Sequence, residues 1–126
     1  MIIGIGTDIV QVRRIQQSVD KYGNQFLNRC FTPIERKRAD ARAEPVRAYA
    51  RLFAAKEALL KALGTGMREN LSWHDFEITP DPMGAPTVAL TGGAAKHLAK
   101  YNINIRLSMS DDHDYAVATA LIQTTE

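Results

Sequence analysis

Residues 45–66, PVRAYARLFAAKEALLKALGTG, leave the chain little freedom in what it can become. Proline is well placed in the first turn of a helix, where its missing N–H has no intrahelical acceptor. Good helix formers then run from Val46 to Leu63, and Gly64 offers the left-handed cap that other residues adopt less easily. The second half of this helix is almost wholly apolar through Phe53, Ala54, Ala55, Ala58, Leu59, Leu60, Ala62 and Leu63. It is read as the long central helix of the fold. Lys56, Glu57 and Lys61 interrupt it and raise the question of what a charge is doing there.

Phe53, Glu57 and Lys61 are spaced i, i+4, i+8, so they share one ridge, and Glu57 ahead of Lys61 is the favourable order for an ion pair. As a surface salt bridge the pair would contribute a few tenths of a kcal/mol. The alanines and leucines around it leave scarcely any solvated face, so Glu57 is also expected to be partly desolvated. A desolvated carboxylate needs a cation or hydrogen-bond donors, and a metal ion would meet that need.

Around this helix the chain alternates in period. MIIGIG at 1–6 suits a short buried strand that turns sharply before Thr7 and Asp8. Ile9, Val12, Ile15, Gln16 and Val19 then fit one face of a helix, with Arg13 and Arg14 exposed on the other, until Lys21-Tyr22-Gly23-Asn24 ends it. Thr32-Pro33-Ile34-Glu35 forms a capping box with proline at the first helical position, and a short basic helix should follow to about Arg42. Strands at 75–79 and 86–91 flank the turn-rich Pro80–Ala85, and a short helix is expected over 92–101. Ile103, Ile105, Leu107 and Met109 alternate as a strand, 110–114 turn, and 115–122 return as an Ala/Val-rich strand. The fold class is α+β, an antiparallel sheet packed with a long central helix, in one domain spanning 1–126.

With 126 residues, 45% hydrophobic and 24% charged, the composition is that of an ordinary globular domain and sets disorder and fibrous classes aside. No apolar run reaches the roughly 18 to 20 residues of a membrane span, and MIIGIGTDIV lacks the basic start and cleavage site of a signal peptide, so the expected address is the cytoplasm. Cys30 is the single cysteine, which excludes an internal disulfide and a cysteine-based metal cluster; it reads as a small buried apolar residue. His74, His97 and His113 read as surface or packing residues and Trp73 as a core or interface anchor. The net charge is only +2, but Arg29, Arg36, Lys37, Arg38, Arg42, Arg47 and Arg51 crowd one stretch against Glu35, Asp40 and Glu44. That run is either a solvated face or a surface for an anionic partner.

Asp8 is the second notable carboxylate. It, or Thr7, could cap the helix beginning at Ile9. Alternatively, two carboxylates from separate elements, completed by substrate phosphate oxygens, would form a magnesium site, since that ion takes hard oxygen ligands. The glycine pairs carry less information. Gly4-Ile5-Gly6 lacks the third glycine of a dinucleotide fingerprint, and Gly64-Thr65-Gly66 lacks the lysine and spacing of a Walker loop, so either could be a turn.

GIGTDIV at 4–10, FAAKEALLKALGTG at 53–66, Gly84-Ala85-Pro86 and SMSDDHDYAVA at 108–118 together resemble the holo-acyl-carrier-protein synthases, the short 4'-phosphopantetheinyl transferases, along essentially the full length. The resemblance implies transfer of 4'-phosphopantetheine from coenzyme A to a serine of acyl carrier protein, with Mg2+, for fatty acid biosynthesis. It implies Asp8 and Glu57 as metal ligands and Asp8, Glu57 and Lys61 as catalytic residues, with Glu57 the first choice of base and Asp8 the second. It places Arg47, Lys61, Gly64, Thr65, Gly66, Pro86 and Ser110 against coenzyme A, and Arg13 and Arg14 against the carrier. It also implies a homotrimer with active sites between subunits. Arg36, Lys37 and Arg38 remain a solvated face in this reading.

The chain departs from the family pattern at three places. Where many members have arginine before the motif phenylalanine, it has Leu52, with Arg51 one residue earlier and so turned by about 100° on a helix, which argues against a phosphate contact from Arg51. Ala85 stands where many have lysine. Asp111 stands where some have histidine, excluding a catalytic histidine there. Two other classes compete. A nucleic-acid-binding module would use the arginines of 29–51, but aromatics are only 7% of the chain and no RNA-binding or helix-turn-helix pattern is visible. A coenzyme A-binding subunit without transfer activity would follow from the changes at Leu52 and Ala85, against which stand intact Asp8, Glu57 and Lys61.

Overall fold

The computed structural model describes residues 1–125, in the order β1 (Ile2–Gln11), α1 (Val12–Tyr22), α2 (Asn24–Cys30), α3 (Pro33–Asp40), α4 (Pro45–Leu63), β2 (Phe76–Pro80), β3 (Pro86–Leu90), α5 (Gly92–His97), β4 (Ile103–Asp111) and β5 (Tyr115–Thr124). A single 3-10 turn, Trp73–Asp75, precedes β2. The strands form an antiparallel three-stranded sheet in the order β1-β5-β4 and a separate β2-β3 hairpin. Among the described residues no helix is long and apolar enough to cross a membrane.

Helix α4 has the limits its sequence implies. Pro45 lies in its first turn, and Gly64 closes it at φ 78°, donating its N–H to the Lys61 carbonyl. One half of α4 packs with α1, α2 and α3 through Ala48, Tyr49 and Ala50. The other half packs through Ala54, Ala55, Ala58, Leu59, Ala62 and Leu63 against the sheet, β2 and α5. Full burial of each large side chain in this seam stabilises by roughly 1.5–3 kcal/mol. Facing α4, β5 presents Ala116, Ala118, Ala120 and Ile122, all buried. Small residues on both surfaces bring helix and sheet close together.

The closest approach is at β1. A Cβ built on Gly4 would overlap the backbone carbonyl of Ala62, and one on Gly6 would overlap that of Ala58. These glycines are therefore neither a turn nor a phosphate cradle; they let the strand lie against the helix backbone.

The first ten residues correct the sequence reading. β1 does not turn before Thr7; it continues to Gln11, with Asp8 paired to Ala118 and Ile9 to Val117. Asp8 is thus not a helix cap, and α1 begins after Gln11 without any side-chain cap. Ile9 belongs to the strand and points away from α4, 64% exposed, beside Ile5 at 66%. Its apolar character belongs to an uncovered sheet face rather than to a helix stripe. Arg13 and Arg14 are exposed on α1 as expected, opposite the buried Ile15.

The capping box at α3 is present in both directions, from Glu35 N–H to Thr32 Oγ1 at 3.3 Å and from Thr32 N–H to Glu35 Oε1 at 2.9 Å. Cys30 is buried and unpaired. Trp73 packs on Phe53 with ring centroids 5.8 Å apart, His74 Nε2 lies 2.6 Å from the Asn28 carbonyl oxygen, and His97 and His113 are exposed. The short helix expected over 92–101 stops at His97, and helix α2 has no counterpart in the sequence reading.

Candidate active site

Strand period places Gly4, Gly6 and Asp8 on the face of β1 that meets α4, while the helix ridge carries Glu57 and Lys61 to the same place. Lys61 Nζ donates to the Thr7 carbonyl at 2.9 Å and to Asp8 Oδ1 at 3.1 Å. Glu57 is half-buried and has no hydrogen-bond or ion-pair partner among the described residues. Its pKa is raised above the ordinary 4.5, first by burial and then by the negative charge of Asp8, with Lys61 offsetting part of the effect. The i, i+4 salt bridge from Glu57 to Lys61 does not form: Lys61 serves the strand instead.

This arrangement fits a hard divalent cation. Two like-charged carboxylates converge, and one of them, Glu57, has no donor among the described residues. Oxygen is the ligand atom on both sides, and the lysine takes only one Asp8 oxygen. No group of three or more His, Cys, Asp or Glu residues able to hold a metal occurs among the described residues. Two protein ligands would leave the remaining positions to water and substrate, the usual situation for magnesium.

A second feature lies along the other flank of α4. A cavity of about 1020 Å³ opens between α3, α4, the β2-β3 hairpin and the end of β4. Lys37 and Arg38 of α3, Arg42 just after it and Arg51 of α4 give it a cationic side, and Pro86 and Ser110 stand on its lining with Gly84 and Asp111. Lys37 and Arg38 are solvated, as expected, yet they edge this cavity; Arg36, expected on the same solvated face, is instead partly buried, bonds Asn24 and Asn28, and is not on the lining.

Arg47 donates to Asp111 Oδ2 at 2.6 Å and to Glu44 at 2.7 Å, and Arg51 donates to Asp111 Oδ1 at 2.6 Å. Burial pushes the Asp111 carboxyl up, but hydrogen bonds from Arg51 and Arg47 outweigh it and hold the pKa below 3.8. Asp111 therefore stays ionised and fixes both guanidinium groups. The one-residue displacement of Arg51 does not remove it from the cavity. Gly64-Thr65-Gly66 follows α4, with Gly66 also left-handed at φ 67° and Thr65 Oγ1 donating to the Gly66 carbonyl at 2.8 Å.

The structure brings Asp8, Glu57 and Lys61 together, and it brings Pro86, Ser110 and Arg51 together. Asp8, Glu57, Lys61, Arg47 and Gly64–Gly66 are not on the lining of the cavity of about 1020 Å³. Sequence reasoning missed the Asp111 clamp on Arg47 and Arg51 because Asp111 ends β4 while both arginines stand on α4, far apart in sequence. It also missed the role of Glu35 beyond capping; the only signal was a second acceptor oxygen with no assigned donor.

Residues 4–120 match the family described as the 4'-phosphopantetheinyl transferase superfamily. The chain belongs to this superfamily. A holo-[acyl-carrier-protein] synthase of Phenylobacterium zucineum is 48% identical to it over 98% of this chain and 93% of the relative. Among solved superfamily structures, holo-[acyl-carrier-protein] synthase of Neisseria meningitidis superposes with a TM-score of 0.89 at 38% identity, covering 98% of this chain and 100% of that one. The Helicobacter pylori enzyme, solved in complex with coenzyme A, gives 0.82 at 32% identity over 94% and 99% of the two chains. The superfamily's α+β architecture is thus present along nearly the whole length.

Proposed function

We infer that this chain is a holo-acyl-carrier-protein synthase, transferring 4'-phosphopantetheine from coenzyme A to a serine of acyl carrier protein and releasing adenosine 3',5'-bisphosphate. The observation that carries the reading is Glu57: a half-buried carboxylate on an apolar helix, beside Asp8, without a hydrogen-bond or ion-pair partner among the described residues.

Asp8 and Glu57 would hold Mg2+. When bound, the ion would supply charge neutralisation at the pyrophosphate of coenzyme A. The chain's own residues do the rest. The serine Oγ of the carrier forms a bond to the phosphorus bearing pantetheine, and the bond from that phosphorus to the bridging oxygen breaks. Glu57 takes the hydroxyl proton, for which its raised pKa suits it. Asp8 is the less suited base because Lys61 already occupies one of its oxygens. Lys61 keeps Asp8 in place and sets a positive charge beside the phosphates. Pro86, Ser110 and the cationic side of the large cavity would bind the adenosine end, with Arg47 and Arg51 held ready by Asp111. Arg13 and Arg14, exposed on α1, would meet an acidic surface of the carrier. Such a reaction belongs in the cytoplasm.

The test is an intact-mass spectrum of apo-acyl carrier protein after incubation with this protein, coenzyme A and magnesium. The expected result is a gain of one phosphopantetheine, abolished by chelator. No gain on a carrier that another transferase can modify would overturn the reading.

The carboxylate pair and the cavity lie on separate parts of one chain, which supports a site completed between subunits. The outer face of β1 and β5, with Ile5, Ile9, Tyr115 and Val117 exposed, is an apolar surface of the kind that subunit association covers. We place the homotrimer contact there. Ile9→Asp is expected to sediment as a monomer and to lose transfer activity with Asp8 and Glu57 intact; a fully active monomer would exclude shared sites.

A further inference from the structure

Among the described residues, Glu35 and Lys56 form an ion pair withdrawn from water, with side chains 0% and 1% exposed and Lys56 Nζ 2.7 Å from Glu35 Oε1. A buried pair of this kind adds little net stability over apolar side chains of similar volume, because desolvation offsets the attraction. Its use lies in what it joins. Glu35 Oε1 accepts from Thr32 N–H at the start of α3, and Glu35 Oε2 accepts from Ile78 N–H of β2 at 2.7 Å. Lys56 Nζ also donates to the Trp73 carbonyl at 2.9 Å. One carboxylate therefore ties together α3 and β2, two walls of the large cavity, and Lys56 fastens both to α4 one residue before Glu57. Lys37, Arg38 and Arg42 ride on the wall so fixed.

We propose that Glu35 and Lys56 are positioning residues for the coenzyme: their buried pair sets the spacing between the cationic α3 wall, strand β2 and the helix that carries Glu57. The proposal rests on the coenzyme A reading above. It predicts a particular split. Asp8 and Glu57 are held by the glycine contact between β1 and α4, which the strut does not touch, so disturbing the strut should weaken coenzyme binding while leaving turnover at saturation nearly intact.

Three variants separate this from a purely structural role. Glu35→Asp keeps both charges but shortens the arm by one methylene, so it cannot reach Lys56, Thr32 and Ile78 together without moving a wall. The double variant Glu35→Leu with Lys56→Met removes the charges together. Ile15→Val, buried on α1 and not on the cavity lining, is a destabilised control. Calorimetry with coenzyme A and steady-state kinetics are run on all three and on the parent chain.

For Glu35→Asp and the double variant, Kd and KM for coenzyme A are expected to rise by about tenfold or more, with kcat within about threefold. Ile15→Val should lower the thermal midpoint with Kd unchanged. A parent-like Kd in Glu35→Asp, or an equal rise in Ile15→Val, would overturn the positioning role while the coenzyme reading stands. Absence of coenzyme binding by the parent chain would overturn that reading and this proposal with it.

Discussion

Glu57→Gln is expected to lower turnover by about 10²–10⁴-fold while leaving the metal-free protein as stable as the parent, or more stable, at neutral pH. The two effects have one source. Burial and the charge of Asp8 raise the Glu57 pKa, so the folded state holds the proton more tightly than the unfolded chain does. Between the unfolded value near 4.5 and the folded value, the unfolded chain has released its proton while the folded state still holds it, so rising pH favours the unfolded chain and stability falls. Above the folded pKa that cost is fully present, and glutamine removes it. Thermal melts in chelator from pH 4 to 8 should show a decline for the parent that is reduced in the variant. Added Mg2+ should raise the midpoint of the parent and not that of Glu57→Gln, since ligand binding to the folded state alone stabilises it. A variant that turns over normally, or that gains the same stabilisation from Mg2+, would remove Glu57 from the site.

Gly6→Ala is the second large effect, and it involves no charged group. The added Cβ would overlap the Ala58 carbonyl and come within 2.9 Å of the Ala62 nitrogen, both of them backbone atoms that cannot swing aside. Either β1 lifts from α4 or the helix is displaced. Overpacking of this kind costs about 1–3 kcal/mol, and the larger figure applies where backbone must yield. Asp8, two residues along the same face, moves with the strand, so activity should fall further than the remaining folded fraction accounts for. Urea denaturation and turnover, measured together, check this; a chain of parental stability and activity would mean that the close approach has no importance.

The sequence was most legible where a structural decision is local. Pro45 and Gly64 bounded α4 because a missing N–H and a left-handed cap act within one turn, and Thr32 with Glu35 marked α3 for the same reason. The paired strands after residue 75 were readable from alternation and turn residues. Asp8 and Glu57 stood out as chemically misplaced, and both lie at the α4–β1 contact. What could not be read depends on distant partners. The sharp turn expected at Thr7 was absent because β5, the last strand, pairs with β1 as far as Gln11. Ile9 imitated a helix position because the outer face of the sheet is apolar too. Glu35 looked like a cap and nothing more, since its second oxygen serves Ile78 and its charge is met by Lys56 from another helix.

The pairing of Asp8 with Ala118 also sets when the carboxylate pair can form. The first strand leaves the ribosome with its glycines and its aspartate but with no neighbour to hydrogen-bond. Its partner, Ala118, is made only after α4 and the strands that follow it. Contacts between such distant segments must first overcome the entropy of closing nearly the whole chain into a loop, and they form late in folding. The nascent protein is therefore expected to acquire α4 and its caps early and to remain unable to place Asp8 beside Glu57 until synthesis has passed β5. Under the proposed roles of Asp8 and Glu57, catalytic competence and completion of the sheet become the same event.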